Sequence, residues 1–134
     1  MSSPPLPPTL AARPRDDGLP IPFVHEYDDG GYDLGTLNPR RVVQCALSRV
    51  CAICAQSLDY PLAFLGDAAA AERRTFTYPP MHRSCAEAAV RLYPSPAPAD
   101  DGPGGWVLVV AGSFEVERPS ARGEPTRFRA APGP

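Results

Sequence analysis

Two matched pairs of cysteine and histidine residues are the part of this sequence best suited to chemistry. Cys51 and Cys54 form a Cys-x-x-Cys pair, and His82 and Cys85 form a second pair with the same two-residue gap. This spacing lets both side chains of a pair reach one tetrahedral ion, and thiolate and imidazole are ligands that zinc prefers. The sequence therefore predicts one zinc ion held by these four residues.

These four ligands would fill every position of a tetrahedral zinc site. A catalytic zinc normally keeps one position open for water, so the closed set predicts a structural, non-catalytic zinc. Three thiolates and one neutral imidazole leave the site with a net charge of about −1, which Arg49, Arg83 or Arg91 could offset. Two alternatives remain open, namely buried structural cysteines beside an unrelated His82, and redox chemistry at the Cys-x-x-Cys pair.

Several other residues could do chemistry but are more typical of structural positions. Cys45 precedes the first pair on a predicted helix, and we expect it to be a small core residue, with a reserve ligand or a reactive thiol as the alternative. Four further features are expected to be structural or exposed: His25, Arg40-Arg41, Arg73-Arg74 and Trp106. For the arginines and the tryptophan, contact with nucleic acid is the alternative.

The elements that position the first pair begin with an extended segment over residues 19–27. Pro20 and Pro22 restrict this segment to an edge strand or a surface crossing. A turn over 28–31 and a short returning strand over 32–34 follow. Asn38 as N-cap and a proline at the first helical position then predict a helix over about 39–49, which leads directly to Cys51.

The elements that position the second pair follow the first cysteine pair. Segments 62–65 and 75–78 have strand character and predict a hairpin, although Ala68–Ala71 could instead form a helical turn. A helix is predicted from residue 83 or 84 to about 93, where Pro94 ends it. A cysteine knuckle, a hairpin and ligands at a helix start are the order of a treble clef, so the predicted class is a small α+β zinc domain with short β-hairpins and two helices.

Proline and glycine divide the chain into regions. Together they contribute 30 of the 134 residues, and they cluster at the start and after the second helix. We therefore predict a disordered tail over 1–17, a zinc-binding domain over 18–93, a linker over 94–105, a β-hairpin extension over 106–118 and a weakly ordered tail over 119–134. A folded part this small gains little from its core and is expected to need a metal.

The charge and the apolar pattern limit the possible partners. The net charge is −2, which argues against a strongly basic nucleic-acid binder, although residues 40–91 carry seven Arg against four acidic residues and keep DNA or RNA open. No apolar run is long enough to cross a bilayer, and the first residues lack the pattern of a secretory signal. We therefore predict a cytoplasmic protein with no membrane partner, in which cysteines are better suited to metal than to disulfides.

Three motifs together resemble a family of small uncharacterised zinc-finger-like proteins of GC-rich bacteria and their phages. They are Gly18-Leu-Pro-Ile-Pro-Phe23, the Cys51–Cys54 knuckle, and Pro79-Pro80-Met-His-Arg-Ser-Cys85-Ala86. The resemblance covers about residues 18–93 and implies a zinc-binding fold without a known activity. The chain departs from the pattern at Ala55-Gln56, where a Gly usually follows the knuckle, and at Tyr93-Pro94, where many members have Cys-Pro.

The function that these patterns favour is a non-catalytic zinc module that binds a protein partner. A nucleic-acid-binding zinc finger is the main alternative. A treble-clef nuclease is less favoured, because such a site needs a further general-base His and metal ligands, and the chain offers only His25 and Asn38. A redox or zinc-responsive switch that uses Cys45 is the remaining hypothesis.

Overall fold

The computed structural model describes residues 6–27, 29–93 and 106–131. This part of the chain mixes four α-helices with small antiparallel sheets, in agreement with the predicted α+β class. The helices are α1 (Pro8–Ala11), α2 (Pro39–Ser48), α3 (Ala68–Arg73) and α4 (Arg83–Leu92), with a 3-10 turn at Phe23–His25. The strands are β1 (Arg15–Asp16), β2 (Leu19–Pro20), β3 (Leu62–Gly66), β4 (Thr75–Phe76), β5 (Met81–His82), β6 (Val107–Ala111), β7 (Ser113–Glu117) and β8 (Arg127–Ala131).

Helices α2 and α4 form where the sequence predicts them. The side chain of Asn38 accepts a hydrogen bond from the backbone N–H of Arg40, which is the expected cap of α2. Arg49 adopts a left-handed conformation with φ of 53° and ends α2 just before the first cysteine pair. Helix α4 begins directly after His82 and is followed by Tyr93, whose hydroxyl donates to the carbonyl of Pro20. This aromatic residue therefore ties the end of α4 to β2.

The predicted hairpin between segments 62–65 and 75–78 is wrong. Strand β3 lies in the centre of one sheet, between β5 and β6, whereas β4 pairs with β8 in another sheet. Helix α3 lies between the two strands, as the alternative of a helical turn predicts. Asp67 caps this helix by accepting a hydrogen bond from the backbone N–H of Ala70. Four helix-favouring alanines follow the cap, and this local preference separates the strands.

The hairpin predicted over 106–118 is also wrong in its pairing. Strands β6 and β7 are separated by one residue but belong to different sheets. Val109 of β6 pairs with Phe64 of β3, which places β6 in the sheet that carries β5. Glu115 of β7 instead pairs with Arg129 of β8. The C-terminal strands β6 and β8 are therefore paired with strands of the segment that carries the predicted metal ligands.

The two predicted tails contain ordered elements. Residues 6–17 include α1 and β1, and Leu10 is fully buried, so the prediction of a disordered tail over 1–17 fails for this part. Strand β8, over Arg127–Ala131, lies within the tail that was predicted to be weakly ordered over 119–134. The predicted linker over 94–105 lies outside the described residues.

The segment over 19–27 is extended only at its start. Leu19 and Pro20 pair with β1, and the 3-10 turn then interrupts the predicted strand. The short return predicted over 32–34 reduces to one bridge between Glu26 and Tyr32. Pro20 and Pro22 cannot donate to a ladder, which explains why pairing stops after two residues.

The core joins the cysteine pairs to a group of aromatic rings. Phe64 stacks on Phe76 with ring centroids 5.0 Å apart and meets the edge of Phe114 at 6.2 Å. Phe128 packs beside Phe114 at 6.0 Å. Strand β3 carries Phe64 and also pairs with β5 next to His82, so one strand connects the rings to the second ligand pair.

Candidate metal centre

The four predicted ligands meet at one place. The sulfur atoms of Cys51, Cys54 and Cys85 and a ring nitrogen of His82 all lie within 4.8 Å of one another. The three cysteines are buried, and His82 is half-buried. Four Cys and His residues this close together can hold one metal ion, and the donor set suits zinc.

A tight backbone turn presents the first pair. A bridge between Val50 and Ser57 closes this turn, and the N–H of Cys51 donates to the carbonyl of Gln56 at 2.8 Å. Ala55 lies in the left-handed region with φ of 69°, a conformation in which glycine is more stable because it has no β-carbon. The absent glycine noted in the sequence is therefore accommodated as backbone strain at Ala55.

The second pair is presented by a strand that turns into a helix. His82 is the last residue of β5 and the N-cap of α4, and Cys85 lies in the first turn of that helix. The N–H of Ala52 donates to the carbonyl of Pro80 at 3.0 Å, which joins the knuckle directly to the segment before β5. The positive end of α4 also favours a thiolate at Cys85.

The distances suit a tetrahedral ion. Nδ1 of His82 lies 3.3 Å from the sulfur of Cys54 and 3.9 Å from that of Cys85. Zinc bonds of about 2.3 Å to sulfur and about 2.0–2.1 Å to nitrogen at tetrahedral angles place these atoms about 3.6 Å apart. The two observed distances lie on either side of this value, so small shifts would satisfy the geometry.

The orientation of the histidine is fixed by a backbone contact. Nε2 of His82 donates to the carbonyl of Ser57 at 2.7 Å, which leaves Nδ1 directed at the sulfur atoms. Metal-binding histidines commonly use the second nitrogen in this way, and the contact increases ligand basicity. Sequence reasoning did not identify Ser57, because a backbone carbonyl leaves no side-chain signal.

Backbone donors stabilise negative charge on Cys51. Its sulfur accepts from the N–H groups of Ile53, Cys54 and His82 at 3.4–3.5 Å. Burial raises the pKa of Cys51, but hydrogen bonds from the Cys54 and Cys85 thiols and from the backbone outweigh burial and leave this pKa well below its usual range. The chain therefore favours a thiolate at Cys51.

The pKa of Cys85 changes in the opposite direction to that of Cys51. Hydrogen bonds to Cys51 and Cys54, followed by burial, raise the pKa of Cys85. Three sulfur atoms this close repel one another when all are ionised, and a bound dication removes that repulsion. The electrostatics of the cluster therefore favour a cation among the sulfur atoms.

The arginines expected to offset the charge make other contacts. The guanidinium of Arg49 lies over the ring of Phe114 at 4.3 Å, and Arg83 forms an exposed ion pair with Glu87 at 4.0 Å. Arg91 is exposed on α4. Among the contacts of the described residues, the backbone N–H groups around Cys51 provide the nearest compensation for thiolate charge.

Cys45 lies outside the cluster of four. It is fully buried on α2, as expected for a small core residue, and it forms no disulfide. Burial, followed by the negative charge of Cys51, raises the pKa of Cys45 to about 12. A thiol with this pKa is almost entirely protonated at neutral pH and is a poor nucleophile, which disfavours a switch that uses it.

His25 is buried in a network of its own. It is 2% exposed, and Nε2 lies 2.8 Å from the hydroxyl of Tyr78, while Nδ1 lies 2.7 Å from the carbonyl of Thr36. Because a carbonyl accepts, Nδ1 carries the proton and Nε2 accepts from Tyr78. Asn38 is occupied as the helix cap and donates to the carbonyl of Glu26. Neither residue is placed to hold a second metal with a substrate.

The comparisons with known proteins give no relative. No family model, no curated protein and no solved structure matches the chain. No helix of the described residues has the length and apolar character needed to span a bilayer. The case for function therefore rests on the geometry of the four residues and of the surfaces around them.

Proposed function

We propose that this chain is a non-catalytic structural-zinc module that binds a protein partner. The observation that carries the proposal is the convergence of Cys51, Cys54, Cys85 and His82 within 4.8 Å. Four protein ligands complete a tetrahedral zinc and leave no position for a substrate or a reacting water. The ion would join the knuckle after α2 to the start of α4.

The order of elements supports a treble-clef-like description of this module. A knuckle, an intervening β segment and candidate ligands at the start of a helix follow one another, which is the order that the sequence pattern predicts for a treble clef. Strand β3 and helix α3 occupy the place of a simple hairpin. We propose that the treble-clef arrangement is retained around the metal, with the intervening segment enlarged.

An exposed apolar strip supports a protein partner. Leu47 and Val43 on α2 are 71% and 46% exposed, and Val116 on β7 is 37% exposed. All three line one groove of about 430 Å³ between α2 and the end of β7 with the loop after it. Exposed apolar groups that line a common groove are typical of protein contact sites.

The arginines support nucleic acid less well. At least four of the seven in segment 40–91 are engaged with groups of the protein itself: Arg41 with Glu26, Arg49 with Phe114, Arg74 with the carbonyl of Ala130, and Arg83 with Glu87. Phosphate binding would have to compete with these contacts. A nucleic-acid-binding zinc finger therefore remains the second candidate.

Metal analysis tests the structural part of the proposal. We expect one zinc per chain after expression with zinc available. When a strong chelator removes the ion, we expect a large loss of helical circular dichroism and of the melting transition. The reason is that the free energy of metal binding in a closed site contributes directly to the free energy of folding. An apoprotein that melts like the zinc form would contradict the structural role. Zinc below half an equivalent would contradict the site itself.

Affinity capture tests the partner. A protein retained from the native host's lysate by the wild type should be lost with Leu47→Glu and kept with Val90→Glu, a matched change at an exposed valine of α4. Equal retention by both variants would reject the apolar strip as the contact. Retardation of DNA or RNA that falls steeply with salt would favour the second candidate.

A further inference from the structure

Strand β6 forms an apolar edge of the sheet that carries β5. The order of that sheet is β5-β3-β6, so one side of β6 pairs with β3, and no strand of the described residues pairs with its other side. Its five residues, Val107–Ala111, include no charged side chain, no polar side chain and no proline. All five pair with β3 in a regular register, so no bulge bends the edge away. Proteins normally use such charges, prolines and bulges to protect an edge strand, and β6 has none of them.

The exposure of β6 is that of an edge open to solvent. Val107 and Val110 are 36% and 39% exposed, and Leu108 and Val109 are half-buried. Because side chains alternate along a strand, Val107 and Val110 lie on opposite faces, so the exposure reaches both faces of β6. In the central strand β3, by contrast, four of the five residues are buried. Apart from the ladder with β3, no backbone–backbone hydrogen bond among the described residues reaches β6.

The next edge strand along the chain, β7, is protected by charge. It follows β6 after one residue, has the same length and lies at the edge of the other three-stranded sheet. Glu115 and Glu117 lie on β7 and form ion pairs with Arg129 of β8. If β7 paired with its own copy about its central residue, two Glu115 side chains would lie directly opposite each other, which is destabilising. The two edges therefore differ in their tolerance of a second copy.

A two-fold axis at Val109 would pair all five residues of β6 with those of a second copy. Val109 then lies opposite Val109 of that copy, Leu108 lies opposite Val110, and Val107 lies opposite Ala111. Each of these pairs is apolar, and valine suits cross-strand contacts. The backbone groups on the open side of β6 would gain ladder hydrogen bonds. Selection of a different protein would need charged side chains to discriminate between partners, and β6 has none.

We propose that β6 pairs antiparallel with β6 of a second copy of this chain, so that two three-stranded sheets become one sheet of six strands in a two-fold symmetric dimer. The inference goes beyond the proposed function, because it uses neither the metal ligands nor the groove beside α2. A pair of five-residue strands buries less area than the roughly 1,200–2,000 Å² of a stable interface. The dimer is therefore weak, with a Kd above about 1 µM.

Sedimentation velocity of the zinc-loaded full chain tests the dimer. Between about 10 µM and about 1 mM, the average mass should rise from that of one chain toward that of two. Val110→Lys places a charge on the edge and should weaken association at least about tenfold. Val116→Lys on β7 is the matched control, since Val116 is 37% exposed, and it should leave association unchanged. Zinc content and thermal melting show whether both variants are folded.

Three results of this experiment would overturn the proposal. The first is a monomer at every concentration. The second is equal weakening by Val110→Lys and Val116→Lys, which would place the contact away from β6. The third is a mass that continues to rise beyond two chains, because a two-fold pairing of edges closes after one copy has bound.

A cysteine at the axis tests the register without a charged variant. Two residues 109 directly opposite each other have Cα atoms about 4.5–5.5 Å apart, which permits a disulfide. Under mild oxidation with zinc bound, Val109→Cys should therefore form a link between two chains. Val107→Cys should not, because the two residues 107 would lie about 13 Å apart along the strands. The wild type, whose four cysteines are buried, measures the background.

Peptide mapping by mass spectrometry locates the link. A disulfide between two residues 109, formed much faster than any link through residue 107, would support the proposed pairing. Equal rates for Val109→Cys and Val107→Cys would indicate non-specific collision and would overturn it. Absence of the 109 link at concentrations where the chain dimerises would likewise overturn it, because the dimer would then use another surface.

Discussion

Two halves of this molecule are stabilised by different kinds of contact. In the metal half, which comprises the knuckle 51–54, β5 and the start of α4, the thiols of the cluster lie among buried alanines together with Ile53 and Met81. In the aromatic half, four rings pack together across β3, β4, β7 and β8: Phe64, Phe76, Phe114 and Phe128.

The difference lies in the chemistry of the side chains that meet in each half. Each ring pair adds about 0.5–1.5 kcal/mol beyond the area that it buries, so the aromatic half has its own source of stability. The thiols of the metal half instead leave charge to be compensated. The metal half is therefore expected to depend on an ion, and the aromatic half is expected to depend on packing.

The largest effect should come from losing a ligand. Cys85→Ser should abolish stoichiometric zinc binding and most of the melting transition, since the ion connects the knuckle to α4. The matched control is Cys45→Ser, a change at another buried cysteine, which should keep one zinc per chain and cost only about 1–3 kcal/mol of the free energy of unfolding. Elemental analysis and thermal melting provide both readouts. A Cys85→Ser protein with wild-type melting would contradict the comparison.

A smaller effect is expected from the aromatic half. Phe76→Ala removes a ring that is 1% exposed and should cost about 3–5 kcal/mol of the free energy of unfolding, while zinc stays at one equivalent. Tyr60→Ala is the control, because Tyr60 is 65% exposed. Urea denaturation with metal analysis measures both quantities. Loss of zinc in the folded Phe76→Ala protein would mean that the two halves are not separable.

The smallest effect concerns the hydrogen bond between His25 and Tyr78. Burial lowers the pKa of His25 below 6.5, and hydrogen bonds to the carbonyls of Thr36 and Asp33 oppose this only in part. Below pH 6.5 the unfolded chain therefore binds more protons at this residue than the folded chain does, so stability should fall as pH decreases from 6.5.

The variant His25→Gln removes this titration and keeps a donor and an acceptor. With zinc saturating, the wild type should lose more unfolding free energy than the variant between about pH 6.5 and 5.5, as measured by urea denaturation. The two proteins differ only at residue 25, so the contribution of every other group cancels in the difference. Identical slopes would show that burial does not lower the pKa of His25 in the folded state.

Part of the fold could be predicted because its signals are local. Asn38-Pro39 at a helix start and the two-residue gaps in the ligand pairs each act within one turn of chain, and both α2 and α4 begin where these signals place them. The absent glycine after the knuckle also pointed to a real feature, the left-handed Ala55. Short-range spacing is sufficient in these cases because the relevant contacts lie within a few residues.

Strand partners and buried contacts required the tertiary structure. By itself the sequence determined that four ligand residues occur in two matched pairs, each beside a helix. Only the tertiary structure decided that β6 pairs with β3 while the adjacent β7 pairs with β8, that Leu10 is buried, and that Ser57 orients His82. The physical reason is that an apolar strand fits several neighbours equally well by composition, and its partner is chosen by packing between residues far apart in the chain.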